Sequence, residues 1–280
     1  MAILIVLNLG KEYEKFTLKQ VSFTLDQGYI MGFIGRNGAG KSTTLKSMLH
    51  LVNPSSGEVE ICGMDFKKNE FACKQKIGFV LGGIDYYPKK RLKTISSVVK
   101  RFYPDWDDEA YKNYLTRFEL DPDKRIDELS AGMRVKFSLA MALSHHAELL
   151  ILDEPTTGLD PVSRDDLLEL FQELISDGEK SILFSTHITS DLEKCGDFIT
   201  YIKDGAILAS QEIDTYIDKY REVKGPQDKL TPEFESKLIG CRKHKFGFEA
   251  LLESAYESIP EGIDIAKTTL ESIMIHIERE

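Results

Sequence analysis

The stretch Gly35-Arg36-Asn37-Gly38-Ala39-Gly40-Lys41-Ser42 follows the apolar run Tyr29-Ile30-Met31-Gly32-Phe33-Ile34 and precedes Thr43-Thr44-Leu45-Lys46. It satisfies the P-loop spacing G-x-x-x-x-G-K-[ST] in the setting that pattern needs: a buried strand, a glycine-rich turn, then the start of a helix. Gly35, Gly38 and Gly40 free the backbone for conformations a Cβ would forbid, so successive N–H groups across Asn37 and Ala39 converge on phosphate oxygens. The helix opening at Gly40 turns its positive end toward the same anion. Lys41 is then spaced to reach the β- and γ-phosphates, and the Ser42 hydroxyl to ligate Mg2+. An octet taken alone also fits an ordinary glycine-rich turn. Strand and helix signals on both sides favour a nucleoside triphosphate site.

Beyond the loop, composition sets bounds. The chain has 280 residues, 42% hydrophobic and 29% charged, as expected of a globular protein with a full core and room for one appendage. A net charge of −10 argues against nucleic acid as partner, because phosphate neutralisation calls for a basic surface. Cys62, Cys73, Cys195 and Cys241 show no CxxC spacing and read as reduced thiols of a cytoplasmic protein. The opening Met1 to Leu7 has no basic n-region or small-residue cleavage site and reads as a first strand. No apolar run approaches the ~20 residues that span a bilayer. Any membrane work would therefore need a separate spanning subunit.

Upstream of the loop, Leu18, Val21, Phe23 and Leu25 suit a strand with one buried face, and Tyr13 is placed to stack on a base or to sit as a strand-end tyrosine. Downstream, Glu58 to Gly63 and Lys76 to Gly83 read as strands. From Asp85 to about Glu128 only helical periodicity remains, broken at Pro104 beside Trp106, a partner-docking knob or a packed helix junction. Ser130 is a good N-cap for a helix carrying Met133, Phe137, Ala140 and Met141 on one face. The apolar run Leu149 to Leu152 ends in Asp153-Glu154-Pro155, as a buried parallel strand would at the ligand-binding edge of an open sheet. Asp160-Pro161 starts a helix, Ser181 to Thr186 is a core strand with His187 just past it, and Asp204-Gly205 turns a hairpin. Past Glu212 the pattern loosens, with Lys224-Gly225-Pro226 as punctuation, Arg242 to Lys245 as a solvated turn and Thr268 to Glu280 as a closing amphipathic helix.

Lys41, Ser130-Ala131-Gly132, Asp153-Glu154 and His187 thus fall in order at the ends of elements. The combination resembles the nucleotide-binding subunit of ABC transporters, from about Ile3 to Ala209. Gly35 to Ser42 matches Walker A, Leu149 to Glu154 matches Walker B, and Leu129 to Met133 resembles the LSGGQ signature. Gly158-Leu159-Asp160 resembles the D-loop and Ser185-Thr186-His187 the H-loop. The resemblance implies an α/β P-loop ATPase core over residues 1–210, with an antiparallel β subdomain and a helical subdomain at about 85–145, followed by a small α+β appendage over 211–280. It implies ATP and Mg2+ as cofactors. By the same resemblance Asp153 holds Mg2+ through water, Glu154 is the general base, and His187 contacts the γ-phosphate and fixes the geometry around Glu154. Tyr13 matches the aromatic residue that stacks on adenine and Thr43 touches the α-phosphate side. Ser130 and Gly132 bind the γ-phosphate held by a second ATPase subunit, so two chains sandwich two ATP molecules and work at the cytoplasmic face of a membrane through a transmembrane permease.

The sequence departs from the family at Gly82, where the Q-loop glutamine is expected and Asp85 is a candidate substitute, and at Ala131 and Met133 of the signature. LSxGM with Phe102-Tyr103-Pro104-Asp105-Trp106-Asp107 is similar to Gram-positive ATPases encoded beside GntR-type repressors and those of phenol-soluble modulin exporters, which implies amphipathic or antimicrobial peptides as cargo. Two alternatives stand beside this reading: an ATP-binding regulatory subunit of a heterodimeric complex, and a soluble non-transport ATPase of the same class.

Overall fold

The computed structural model describes residues 1–81 and 87–280. Strands β1 (Ala2–Tyr13) and β2 (Phe16–Asp26) lead into β3 (Ile30–Ile34), the phosphate loop and helix α1 (Lys41–Met48). β4 (Ser56–Ile61), β5 (Met64–Asp65), α2 (Glu70–Gln75) and β6 (Ile77–Leu81) follow. A helical stretch holds α3 (Leu92–Val99), α4 (Asp108–Arg117) and α5 (Ala131–Leu143). The chain returns through β7 (Leu149–Asp153), α6 (Pro161–Ile175), β8 (Ser181–Thr186), α7 (Thr189–Cys195), β9 (Phe198–Lys203) and β10 (Ala206–Glu212). It ends with α8 (Ile213–Ile217), β11 (Tyr220–Gly225), α9 (Pro232–Glu235), β12 (Leu238–His244), β13 (Gly247–Glu253), β14 (Asp264–Lys267) and α10 (Leu270–Ile277). The readings at Gly82 and Asp85 lie outside the described residues.

The strands form three sheets, in the orders β2-β1-β4-β5, β10-β9-β3-β8-β7-β6 and β12-β13-β11-β14. In the second sheet β6, β7, β8, β3 and β9 run parallel, and β10 joins antiparallel through the Asp204-Gly205 turn. Strands buried on both faces need apolar residues at every position. Here Leu150, Leu152, Ile182 and Phe184 face one core with α5, α6 and α7, while Leu149, Ile151 and Leu183 face a second core with α1 and the first sheet. β3 divides likewise: Ile30 and Ile34 go one way, Met31 and Phe33 the other. Each such side chain, fully buried, contributes roughly 1.5–3 kcal/mol of hydrophobic stabilisation.

Several local expectations change. The first strand runs to Tyr13, well past Leu7, because β1 pairs with β2 on one side and β4 on the other. Lys224 and Gly225 close a strand, and Arg242 to His244 belong to β12, with Arg242 Nη1 2.8 Å from Glu249 Oε1 and Lys243 Nζ 2.6 Å from Glu235 Oε1. Charges at two successive positions, one on each face of the sheet, break the period-2 signal of such a strand. Trp106 is half-buried against the α-helical core, its Nε1 donating to Asp108 Oδ1 at 3.0 Å and its ring 5.3 Å from that of Tyr111, which makes it a packed junction.

Candidate active site

Parallel strands deliver the site's residues to one edge. β3 ends at Ile34 and the loop follows, with Gly35 at φ +155°, where a Cβ would lie only 2.3 Å from the Ile202 carbonyl oxygen. No L side chain fits there, so the first glycine of the pattern is a packing requirement as well as a conformational one. The β9–β10 turn clamps the loop from outside: Gly205 N donates to Ala39 O at 2.9 Å, and Lys19 N of β2 donates to Gly205 O at 2.6 Å. α1 then starts at Gly40 with no side-chain cap, which leaves its first N–H groups directed at the cleft.

Lys41 is buried, its side chain 5% exposed, and its ammonium donates to Gly35 O at 2.8 Å. The same Nζ lies 3.2 Å from Glu154 Oε1. Glu154 follows β7 with a left-handed backbone, φ +51°, a conformation that costs of order 1–3 kcal/mol in a non-glycine residue and aims its carboxylate back at the loop. Its Oε2 is 2.7 Å from His187 Nδ1, one residue beyond β8, and accepts from the Thr157 hydroxyl at 3.0 Å. Burial alone would push the Glu154 carboxyl up. The Lys41 ammonium foremost, with the charge and hydrogen bond of His187, outweighs it and holds the carboxyl below its ordinary value. Glu154 is therefore an ionised, three-partner carboxylate at neutral pH.

One layer deeper, the hydroxyls of Ser42 and Ser185 both donate to Asp153 Oδ1, at 3.1 and 2.6 Å. Ser185 Oγ also accepts from Glu154 N at 2.9 Å. Ser42 and Asp153 thus bring hard oxygen donors together, the set that suits Mg2+, which takes one or two protein ligands and completes its shell with water and phosphate. No group of three or more His, Cys, Asp and Glu able to hold a metal occurs among the described residues.

Lys41, Ser42, Glu154 and His187 line a cleft of about 490 Å3 with Tyr13, Phe16, Arg36, Asn37, Gly38, Gly40, Thr43 and Thr157. Tyr13 and Phe16 are cross-strand partners at the end of the β1–β2 hairpin, and Tyr13 is 46% exposed, an aromatic face open at the mouth. A cationic loop, a buried ammonium and an aromatic wall fit a nucleoside triphosphate. Ser130 and Gly132 do not line this cleft. Ser130 caps α5, its Oγ accepting from Met133 N at 3.2 Å, which leaves the hydroxyl proton free to donate outward.

A protein-family model described as ABC transporter matches residues 18–157, half of the chain. The chain belongs to the ABC transporter ATPase family. The ABC transporter ATP-binding protein YtrB of Bacillus subtilis is 30% identical over 207 residues, 74% of this chain and 70% of YtrB. The bacitracin transport ATP-binding protein BcrA of Bacillus licheniformis is 32% identical over 202 residues, 71% of this chain and 65% of BcrA. A solved structure of an ATP-binding subunit of an ABC transporter superposes with a TM-score of 0.68 at 28% identity, covering 76% of this chain and 91% of that one. The α/β fold of this ABC ATPase and its class of activity, ATP hydrolysis, follow from that membership.

Four residues of this ATPase's site went unassigned in the sequence reading: Phe16, Arg36 and Thr157, which line the cleft, and the buried Ser185 behind it. Phe16 had a signal, since it mirrors Tyr13 across the two-residue turn Glu14-Lys15. Ser185 had none by itself, because a serine two residues before a strand-end histidine acquires its role only when β7 and β8 align Asp153 with Ser185.

Proposed function

We propose that this ATPase hydrolyses ATP at an interface between two such chains and drives export of amphipathic or antimicrobial peptides through separate membrane subunits. Residues 1–210 form the ATPase unit and 211–280 an appendage. The observation that carries the catalytic part is the contact set of Glu154: one carboxylate oxygen faces the Lys41 ammonium of the phosphate loop and the other meets His187 and Thr157. In hydrolysis, water oxygen attacks the γ-phosphorus, the bond to the β–γ bridging oxygen breaks, and the water's proton passes to Glu154. Lys41 and the loop N–H groups stabilise the charge on the phosphate oxygens, and His187 holds the base in line. Gly35, Asn37, Gly38, Ala39, Gly40 and Thr43 cradle the phosphates, and Tyr13 stacks on the adenine. Ser42 and Asp153 would hold Mg2+, which neutralises charge on the β- and γ-oxygens when bound.

Pairing is supported by Ser130 and Gly132, which lie outside the chain's own cleft yet present a helix start with a spare hydroxyl proton. The membrane partner is supported by family membership together with the finding that no helix among the described residues is long and apolar enough to cross a membrane. Work at the cytoplasmic face follows from that partner. Peptide cargo is supported by the relative that transports bacitracin.

The test is Glu154→Gln. Removing a general base costs about 100- to 10,000-fold in rate, whereas the phosphate cradle is untouched, so hydrolysis should nearly vanish while ATP binding persists. Turnover within a few-fold of the parent would remove Glu154 from the mechanism. Hydrolysis absent from the parent chain itself, with ATP still bound, would favour a regulatory subunit whose catalysis comes from a partner.

A further inference from the structure

The C-terminal helix returns to the phosphate loop. α10 enters the main core through Leu270 and Ile273, and Leu270 N donates to Glu193 Oε1 of α7 at 2.6 Å. At its other end the capping residue Glu278 has a side chain only 12% exposed. Its Oε1 accepts from the Tyr201 hydroxyl at 2.8 Å and its Oε2 lies 3.9 Å from Arg36 Nε. Tyr201 is the β9 partner of Ile34, the residue before the loop, so Glu278 is anchored at the root of the nucleotide cradle. Lys203 Nζ donates to Ile277 O at 2.8 Å and favours the same helix end.

Arg36 stands between two environments. Its side chain is 67% exposed and lines both the nucleotide cleft and a neighbouring groove of about 340 Å3 shared with His187, Met274, Ile275 and Glu278. A guanidinium is always charged and presents five donors, so it can pair with a carboxylate or a phosphate but cannot satisfy both at full strength. We propose that nucleotide phosphates and Glu278 compete for Arg36, so that triphosphate binding loosens the last helix and Glu278 holds nucleotide affinity down. Because the Tyr201 and Lys203 contacts do not involve Arg36, the helix loosens without leaving. Linkage makes the effect reciprocal, and a long ion pair whose guanidinium is exposed to screening water sets its size at a few-fold.

This inference rests on the ATP-binding reading above. The test is equilibrium ATP titration of the full chain as parent, Glu278→Gln, Arg36→Gln and the double variant, with hydrogen exchange over Leu270 to Ile277. Glutamine keeps an oxygen for the Tyr201 hydroxyl, so the end of α10 stays anchored to β9. Glu278→Gln should tighten ATP by about 2- to 5-fold. In the Arg36→Gln background the same change should do nothing. ATP should speed exchange in α10 of the parent but not of Arg36→Gln. Equal effects of Glu278→Gln in both backgrounds, or weaker binding in both, would assign Glu278 a purely structural role and overturn the competition. A parent chain that fails to bind ATP would overturn the nucleotide reading itself, a different result.

Discussion

Ser185→Ala isolates the contact that ties the two acidic residues of the site to the sheet. The hydroxyl is wholly buried, donates to Asp153 Oδ1 at 2.6 Å and accepts from Glu154 N at 2.9 Å. A hydrogen bond to a charged group contributes about 1.5–3 kcal/mol. The Glu154 N–H is not orphaned by the change, because it also reaches the Ser185 carbonyl oxygen at 3.1 Å. Asp153 keeps the Ser42 hydroxyl at 3.1 Å, so its carboxylate is under-supported but not abandoned. The expected loss is therefore a single charge-assisted bond, with a fall in melting temperature of roughly 3–12 °C at about 2–4 °C per kcal/mol for a chain of this size. A carboxylate free to rotate should also need more Mg2+. Loss of an outer partner weakens metal binding by about 10- to 100-fold, and the surviving Ser42 contact points to the lower end. Scanning calorimetry reads the first effect, and the Mg2+ concentration for half-maximal hydrolysis at saturating ATP reads the second. A melting temperature within about 1 °C of the parent, with an unchanged Mg2+ midpoint, would refute the assignment of Ser185 as the residue that positions Asp153.

The remaining expectations concern stability. His145 stacks on Tyr103 at 3.8 Å between ring centroids, its Nδ1 lies 3.2 Å from Gln75 O, and burial pushes its pKa down from 6.5 to about 4. Between those values the unfolded chain takes up a proton that the native one refuses, so the contribution is complete above pH 6.5 and is lost toward pH 4. The unfolding free energy from urea titrations should drop as pH falls across that window by up to about 1.4 kcal/mol per unit, and His145→Phe should flatten that component; an unchanged slope would place the titrating group elsewhere. Asp191 is fully buried, accepts from the Thr156 hydroxyl at 2.7 Å and is paired with Arg164. Asp191→Ala should cost about 3–5 kcal/mol in denaturant unfolding, and a loss under about 1 kcal/mol would show that the buried pair contributes little.

How much of this was legible beforehand varied with the range of the interactions. The phosphate loop, the Asp160 cap of α6 and the Asp204-Gly205 turn were readable because each is decided within a few residues: Asp160 Oδ1 accepts from Val162 N and Ser163 N, both at 3.1 Å. Parallel strands were readable because burial on both faces demands an unbroken apolar run, and Leu149 to Leu152 supplies one. The C-terminal sheet was not readable. In β13 Leu251 joins the main core, while Phe248, Ala250 and Leu252 face a smaller one with Val223 and Phe234. Its neighbour β12 puts charges at two successive positions, Arg242 and Lys243, paired with Glu249 and Glu235, so no window of the sequence shows a clean period.

The site shows the same division at the level of single atoms. That Glu154 follows a buried strand is written in the sequence; that it is an anion poised against a cation is not. Its state is set by Lys41, which arrives through a loop more than a hundred residues earlier, and by His187, which arrives from the next strand of the sheet. Sequence order brings none of these together. The register of β3, β8 and β7 does, since Ile34 pairs with Thr186 and Asp153 with Ser185, which leaves loop, histidine and glutamate one step past the same edge. The final helix reaches that edge by the same route, through Tyr201 opposite Ile34. A link 77 residues long between Tyr201 and Glu278 leaves no trace in local pattern, yet it brings the last turn of the chain to the first residue of the phosphate loop that carries a side chain.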